Sequence, residues 1–198
     1  MIPKRRLGQT AVHVSEIGLG TAPLGELFDK VPEHVSLATF RKAWDEGIRY
    51  FDSSPFYGHG KSELRVGRGL EGRPRGEMAI STKVGRLMRR PGDADGFVPE
   101  FWAGALPMKV AFDYSYDGIM RSVEDSYLRL GVNRIDLLLI HDLDTWFHPQ
   151  PERLAAFRAQ LVTSGWRALE ELREAGVVGG VGAGINERGM MSWFLDMM

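Results

Sequence analysis

Along this chain five short apolar runs of strand length each precede a segment of helical periodicity, an alternation that implies a parallel sheet covered by helices. The runs fall at residues 17–20, 49–51, 78–81, 135–140 and 177–183, and the helical segments centre on 34–46, 62–70, 115–131 and 165–175, with another beginning near 187. Five such strands suit an open doubly wound sheet or part of an eight-stranded barrel, which normally takes about 250 residues. At 198 residues, with the last helix only begun, the count predicts an α/β chain. Residues 1–198 would form one partial TIM-barrel domain holding about the first five βα units. Such a set has two unpaired strand edges, so contacts beyond this sequence are expected to complete it.

Taken in order, residues 4–7 and 12–15 flank Gly8, Gln9 and Thr10 as a short hairpin. The strand at 17–20 opens onto GTAPLGELFD, whose Gly-x-Gly lacks the third glycine of a dinucleotide fingerprint and reads as a tight turn. In the next helix Leu37, Phe40 and Trp44 recur at helical spacing and Gly47 stops it, while Ser62 reads as the N-cap of the following one. Residues 85–114 read as a long irregular segment. Loops beyond about 12–15 residues are usually functional or disordered, and Phe97, Phe101, Trp102 and Phe112 favour a structured lid. Ile119, Val123, Tyr127 and Leu130 share one face of a helix ending at Gly131, and IDLLLI at 135–140 has the continuous apolar character of a doubly buried strand. A short helix is expected at about 152–162, before the one at 165–175.

The chemistry concentrates in residues 49–83. Asp52 and Lys83 lie at the ends of neighbouring strands, and Tyr57 sits on the Gly-rich turn between them. In a parallel α/β barrel such strand-end groups converge on one face. A phenol beside an ammonium suits proton transfer, because the positive charge favours the phenolate, and a carboxylate keeps the amine charged and oriented. Taken singly, Asp52 and Lys83 read as a structural ion pair and the tyrosine as packing.

The motif FDSSPFYGHGKSE, Lys83 in STK, and His141 directly after IDLLLI together resemble the aldo-keto reductases. DYSYDGIMRSVEDSYLRLGVNRIDLLLIHDLD is similar to the branch that contains aldose 1-dehydrogenases, L-fucose or galactose dehydrogenases and pyridoxal 4-dehydrogenase. The resemblance covers essentially the whole chain. It implies a (β/α)8 barrel, its amino end plugged by the hairpin, with NADP or NAD lying across the top. Tyr57 is then the acid/base, Lys83 and Asp52 its tuning pair, and His141 the group that orients the substrate oxygen. Thr21, Ala22 and Asp52 line the cofactor side, and Trp102 and Trp146 are the substrate-side candidates. Many members carry Ser-Asn after the fifth strand for the nicotinamide carboxamide; here Gly184-Ile185 stands there, and the role passes to Asn186. Family strands six to eight, which hold the pyrophosphate and adenosine, have no counterpart in these residues, so NAD versus NADP is not legible. The implied activity is hydride transfer between a nicotinamide and an aldose hemiacetal, giving a lactone, or a carbonyl. A cofactor-binding regulatory module and a metal-dependent barrel hydrolase are the alternatives.

Several other groups have blander readings. His59, between two glycines, reads as an exposed turn residue, and Arg86, Arg89 and Arg90 as a solvated loop. His141, Asp142, Asp144 and His148 suit a metal by type, but no second ligand-rich strand end accompanies them, so no metal is expected. Trp146 and Phe147 read chiefly as packing their loop against the barrel. With 43% hydrophobic and 26% charged residues and a net charge of −1, the chain has no basic stripe for nucleic acid. No apolar run nears the roughly 20 residues of a membrane span, and the start MIPKRRLG lacks a secretory apolar stretch. The expectation is a cytoplasmic protein acting on a small sugar, pyridoxal or aldehyde, with an oligomer allowed.

Overall fold

The computed structural model describes residues 2–93 and 96–197. An antiparallel hairpin, β1 (Lys4–Arg6) and β2 (His13–Ser15), pairs Lys4 with Ser15 and Arg6 with His13. Five parallel strands follow: β3 (Leu19–Gly20), β4 (Tyr50–Asp52), β5 (Ala79–Val84), β8 (Leu137–His141) and β9 (Gly180–Gly184), adjacent in that order. Sequential neighbours pairing in parallel, each joined through a helix, is the arrangement the alternation predicts.

The helices are α1 (Glu33–Asp45), α2 (Lys61–Gly69), α3 (Tyr116–Leu130), α4 (Pro151–Gln160), α5 (Trp166–Glu174) and α6 (Met191–Met197). Their apolar faces meet the outer face of the sheet in one core containing Phe40, Phe51, Val66, Ile80, Ile119, Val123, Leu130, Leu138, Ile140 and Leu169. The periodicity of α3 holds fully: Ser115 caps it by accepting from the Gly118 N–H, and Gly131 ends it at φ 62°. The hairpin lies at the amino ends of the strands, where Val12 packs with Ala79 and Leu137 and Lys4 Nζ donates to the Glu77 carbonyl at 2.8 Å. The opposite, carboxyl ends are thus left for the polar strand-end residues.

Three local expectations change. Ser62 is the second residue of α2, not its cap: its hydroxyl is buried and donates toward Thr21 Oγ1 at 2.6 Å, while Gly60 precedes the helix with φ 100°. The segment 85–114 is not wholly irregular, because β6 (Arg86–Arg89) and β7 (Lys109–Phe112) form an antiparallel arm pairing Arg86 with Phe112. The two strand segments, RLMR and KVAF, are short and separated by residues 90–108, so their pairing is not visible as a local hairpin pattern. The short helix expected at 152–162 is α4, but a single π turn (Leu161–Gly165) carries it on into α5. Gly165 lets this turn touch the chain entering α3, since a Cβ there would lie 2.0 Å from the Tyr114 carbonyl oxygen. No helix among the described residues is long and apolar enough to cross a membrane.

Candidate active site

The register of β4 against β5 places Asp52 opposite Ser81, and two residues further on the same face comes Lys83. Lys83 Nζ donates to Asp52 Oδ2 at 2.8 Å and to the Ser53 carbonyl at 2.9 Å, and Ser81 Oγ donates to Asp52 Oδ1 at 2.6 Å. Burial opposes the charge on Lys83, but Asp52 and Tyr57 outweigh it and raise the ammonium above its ordinary lysine value. The same Nζ lies 4.6 Å from the centroid of the Tyr57 ring.

Tyr57 is seated by a backbone contact. Gly58 adopts φ 63°, and a Cβ there would lie 2.3 Å from the Gly25 carbonyl oxygen; a Cβ on Gly25 would lie 2.7 Å from the Tyr57 carbonyl carbon. Only glycines allow the turn after β4 and the turn after β3 to meet this closely.

His141 ends β8, with its ring edge-on to Tyr57 at 5.9 Å between centroids and 83° between planes. Its Nδ1 is 3.0 Å from Ser54 Oγ and its Nε2 is 3.2 Å from Asp142 Oδ2. Burial, reinforced by Arg86 and Lys83, holds the imidazole well below its ordinary pKa, so it is neutral around pH 7. Trp102 comes from the arm, tilted against Tyr57 at 6.0 Å and edge-on to Phe56 at 5.3 Å. Its indole Nε1–H is buried without a hydrogen-bond partner among the described residues.

The remaining expected residues divide. Thr21 is fully buried, and both its N–H and its hydroxyl donate to the Asp52 carbonyl, at 3.0 and 2.8 Å. It therefore anchors β3 to Asp52. Ala22 is half-buried just beyond it, entering the helical turn Pro23–Gly25. Asn186 follows β9, where its Nδ2 donates to Asp142 Oδ1 at 2.8 Å and to Asp144 Oδ2 at 3.0 Å. Its amide protons are thus engaged in the loop, and the carbonyl oxygen is its available group. Trp146 stands apart: it is 71% exposed and does not pack the loop, a role that falls to Phe147 against Phe56.

Two bland readings are overturned. His59 is buried, with φ 52°, its Nδ1 2.5 Å from the Met108 carbonyl and its ring stacked on Phe56. The small flanking glycines, which suggested exposure, instead let the turn fold inward. Arg86 is 1% exposed, paired with Asp142, its guanidinium 4.0 Å from the Phe56 ring centroid and 4.2 Å from that of Phe147. Ser54, Arg86 and Asp142 are therefore site neighbours that the sequence reading missed. A signal was present: Arg86 follows Lys83 by three residues, across a glycine at φ 95° that turns the chain at the strand end. Among the described residues no group of three or more His, Asp or Glu side chains is placed to hold a metal ion.

The chain is similar to known proteins. The model of the family described as "Aldo/keto reductase family" matches residues 16–192. Pyridoxal 4-dehydrogenase of Microbacterium luteolum is 43% identical over 93% of this chain and 56% of its own length. D-threo-aldose 1-dehydrogenase of a Pseudomonas species is 38% identical over 86% of this chain and 50% of its own. Among solved structures, the holo form of an aldo-keto reductase from Bacillus halodurans superposes with a TM-score of 0.70 at 27% identity, covering 100% of this chain and 55% of that one. The chain spans about half the length of the curated relatives it matches.

Proposed function

Because the chain belongs to the aldo/keto reductase family, we propose that it carries the proton-transfer centre of an NAD(P)-dependent oxidoreductase. Its substrate class is a cyclic hemiacetal of an aldose, oxidised to a lactone, or the interconverted alcohol and aldehyde of a pyridoxal-like compound. The observation that carries this reading is the meeting of Tyr57 with the Lys83–Asp52 pair, His141 and the unpartnered Trp102 N–H at the carboxyl ends of the strands.

The donor set fits a nicotinamide. It offers a phenol, an ammonium, a carboxylate and an imidazole, all proton carriers, and the chain has no cysteine to serve as a redox group. Ala22, Asp52 and the Asn186 carbonyl are the groups that would face the nicotinamide end, with Thr21 fixing Asp52 behind them. When bound, the nicotinamide accepts or returns the hydride.

The residues supply the rest. In oxidation Tyr57, its ring beside the Lys83 ammonium, acts as the base that removes the hydroxyl proton as the carbon–oxygen double bond forms; in reduction it returns that proton to the oxygen. Asp52 keeps Lys83 charged and aimed. The neutral His141 and the Trp102 indole direct N–H groups at the substrate oxygen and fix its position.

Titration calorimetry of NAD and of NADP into the purified chain, followed by nicotinamide absorbance with aldoses and with pyridoxal, tests the reading. Binding of one cofactor and turnover that vanishes in Tyr57→Phe are expected. A folded chain with neither binding nor turnover would place the activity outside these residues.

A further inference from the structure

Lys61 opens α2, where the positive end of the helix dipole disfavours an ammonium, so its place there calls for another cause. The loop after β3 supplies one. Lys61 Nζ donates to Glu26 Oε2 at 3.0 Å and Arg65 Nη2 to Glu26 Oε1 at 2.8 Å, so each oxygen of this buried carboxylate has its own cation. The same Lys61 Nζ donates to the Gly104 carbonyl, in the connection between β6 and β7. One ammonium thereby ties together three segments distant in sequence: the loop after β3, the start of α2 and the arm.

The arm runs along the loop after β3 as a short antiparallel stretch. Leu27 pairs with Trp102, the Ala103 N–H donates to the Glu26 carbonyl at 2.9 Å, and the Phe28 N–H reaches the Phe101 carbonyl at 3.3 Å. Glu26, Phe28 and Phe101 hold left-handed φ values of 69°, 67° and 66°, strained for non-glycine residues and kept only where the surroundings impose them. Gly104 has no room for a side chain, because a Cβ there would fall within the Glu26 carboxylate. On the other flank, the residues just past Tyr57 hold the same connection: the Leu106 N–H donates to the Gly58 carbonyl at 3.0 Å, and His59 Nδ1 meets the Met108 carbonyl at 2.5 Å. Lys61 joins the two flanks.

Trp102 is the residue that these ties place. It is 7% exposed, with its indole tilted against Tyr57 and edge-on to Phe56. A single bridge with one long hydrogen bond is a weak hold on such a segment, and a charge-assisted hydrogen bond from Lys61 to its carbonyl is a stronger one.

We propose that Lys61 is a positioning residue: by binding Glu26 and the Gly104 carbonyl at once, it fixes residues 101–104 across the site and holds the Trp102 indole against Tyr57, where its free N–H meets the substrate. The placement of Trp102 is a property of the folded chain; only the use of its N–H on a substrate rests on the oxidoreductase reading.

The test is fluorine NMR of the full chain labelled with fluorotryptophan, in the presence of a soluble gadolinium chelate that broadens solvent-exposed signals. The five tryptophans give five resonances, and Trp102 and Trp146 are assigned by their loss in Trp102→Phe and Trp146→Phe. In the parent, Trp146, 71% exposed, should broaden strongly and Trp102 should not. Lys61→Met keeps the aliphatic stem and removes the ammonium; the opened fraction of the segment should rise by about tenfold, the worth of one hydrogen bond to a charged group, and Trp102 should broaden accordingly. Gly104→Ala, which drives the segment off Glu26, should do the same. Lys61→Arg should keep the parent pattern, and the other four resonances should hold throughout.

A parent whose Trp102 broadens like Trp146 would overturn the proposal. So would a folded Lys61→Met or Gly104→Ala whose Trp102 signal matches the parent, or one in which all five signals change together, the mark of a merely structural role. Should Gly104→Ala not fold, the partly exposed Lys61 still decides through its Met and Arg variants. If the chain turns over, Lys61→Met should raise KM more than it lowers kcat. Absent turnover with the expected signals would count against the oxidoreductase reading alone.

Discussion

Lys83 Nζ and Asp52 Oδ2 meet at 2.8 Å across neighbouring parallel strands, and the amine reaches that carboxylate from a position two residues past the register partner of Asp52. Asp52 is the last paired residue of β4 and Lys83 is still paired with Leu139 of β8, so the two meet near the carboxyl edge of the sheet, where Tyr57 comes within reach of the ammonium. Its two members differ in exposure, 6% for the Lys83 side chain and 25% for Asp52, so the carboxylate keeps some contact with solvent while the amine does not.

Tyr57→Phe removes the phenol proposed to exchange the proton and leaves the ring, the turn and Lys83 in place. Turnover should fall by about 10²–10⁴-fold or more, the usual worth of general acid–base catalysis. Cofactor affinity by calorimetry should stay within a few-fold. A variant turning over at the parent rate would dispose of the assigned role.

Lys83→Met leaves Asp52 without its partner. Breaking a fully buried pair costs about 3–5 kcal/mol, and the partial exposure of Asp52 should bring the loss toward the lower end. The linkage has a definite sign: Lys83 is raised above its ordinary value despite burial, so its stabilisation is complete below the unfolded lysine pKa of about 10.4. It is lost as pH rises through the higher folded value. Urea melts of parent and variant should therefore differ at neutral pH and converge in strong alkali; a constant gap would refute the assignment.

The convergence of Asp52, Tyr57, Lys83 and His141 was legible because strand ends are punctuated in sequence: the apolar runs at 49–51 and 78–81 stop just before a charged residue, Asp52 or Lys83, a Gly-rich turn carries Tyr57, and IDLLLI stops at His141. Arg86, His59 and Trp146 were misread because their fate depends on partners distant in sequence. Arg86 is buried only because Asp142, 56 residues on, and the rings of Phe56 and Phe147 surround it. Nothing in the local string RLMRR announces that partner. The β6–β7 arm was missed for the same reason, its strands being joined through residues 90–108 rather than by a two-residue loop.

Three histidines are buried in forms that resist protonation, and this should set the acid stability. Burial depresses His141 and His59, and it depresses His148 to about 4, helped there by Arg153 and Arg86. Below about pH 6.5 the unfolded chain binds protons that the folded one does not, so stability should fall with pH across that window. For His148 the loss should continue to about 4. Thermal melts from neutral pH downward should show the slope, and His148→Gln should flatten it; an identical slope in the variant would exclude His148 as a contributor. The Glu26 and Glu33 carboxyls, lowered by their cationic partners, lose their stabilisation only at lower pH.

The seating of Tyr57 can be separated from backbone strain by comparing two glycines. Gly58 and Gly72 both have positive φ, 63° and 74°, so alanine at either imposes a conformational penalty of roughly 1–3 kcal/mol. They differ in surroundings: a Cβ on Gly58 would meet the Gly25 carbonyl oxygen at 2.3 Å, whereas nothing lies within 4 Å of one on Gly72. Gly72→Ala should therefore lose stability and keep its turnover. Gly58→Ala must push the turn away from Gly25, carrying Tyr57 with it. A shift near 1 Å at a reacting group lowers rate by about 10²-fold, so its kcat should fall by that order even at a temperature where it is fully folded. Stability by urea melt and kcat measured on the same preparations make the comparison. Equal kcat in the two variants would mean that the Gly25–Gly58 contact does not position Tyr57.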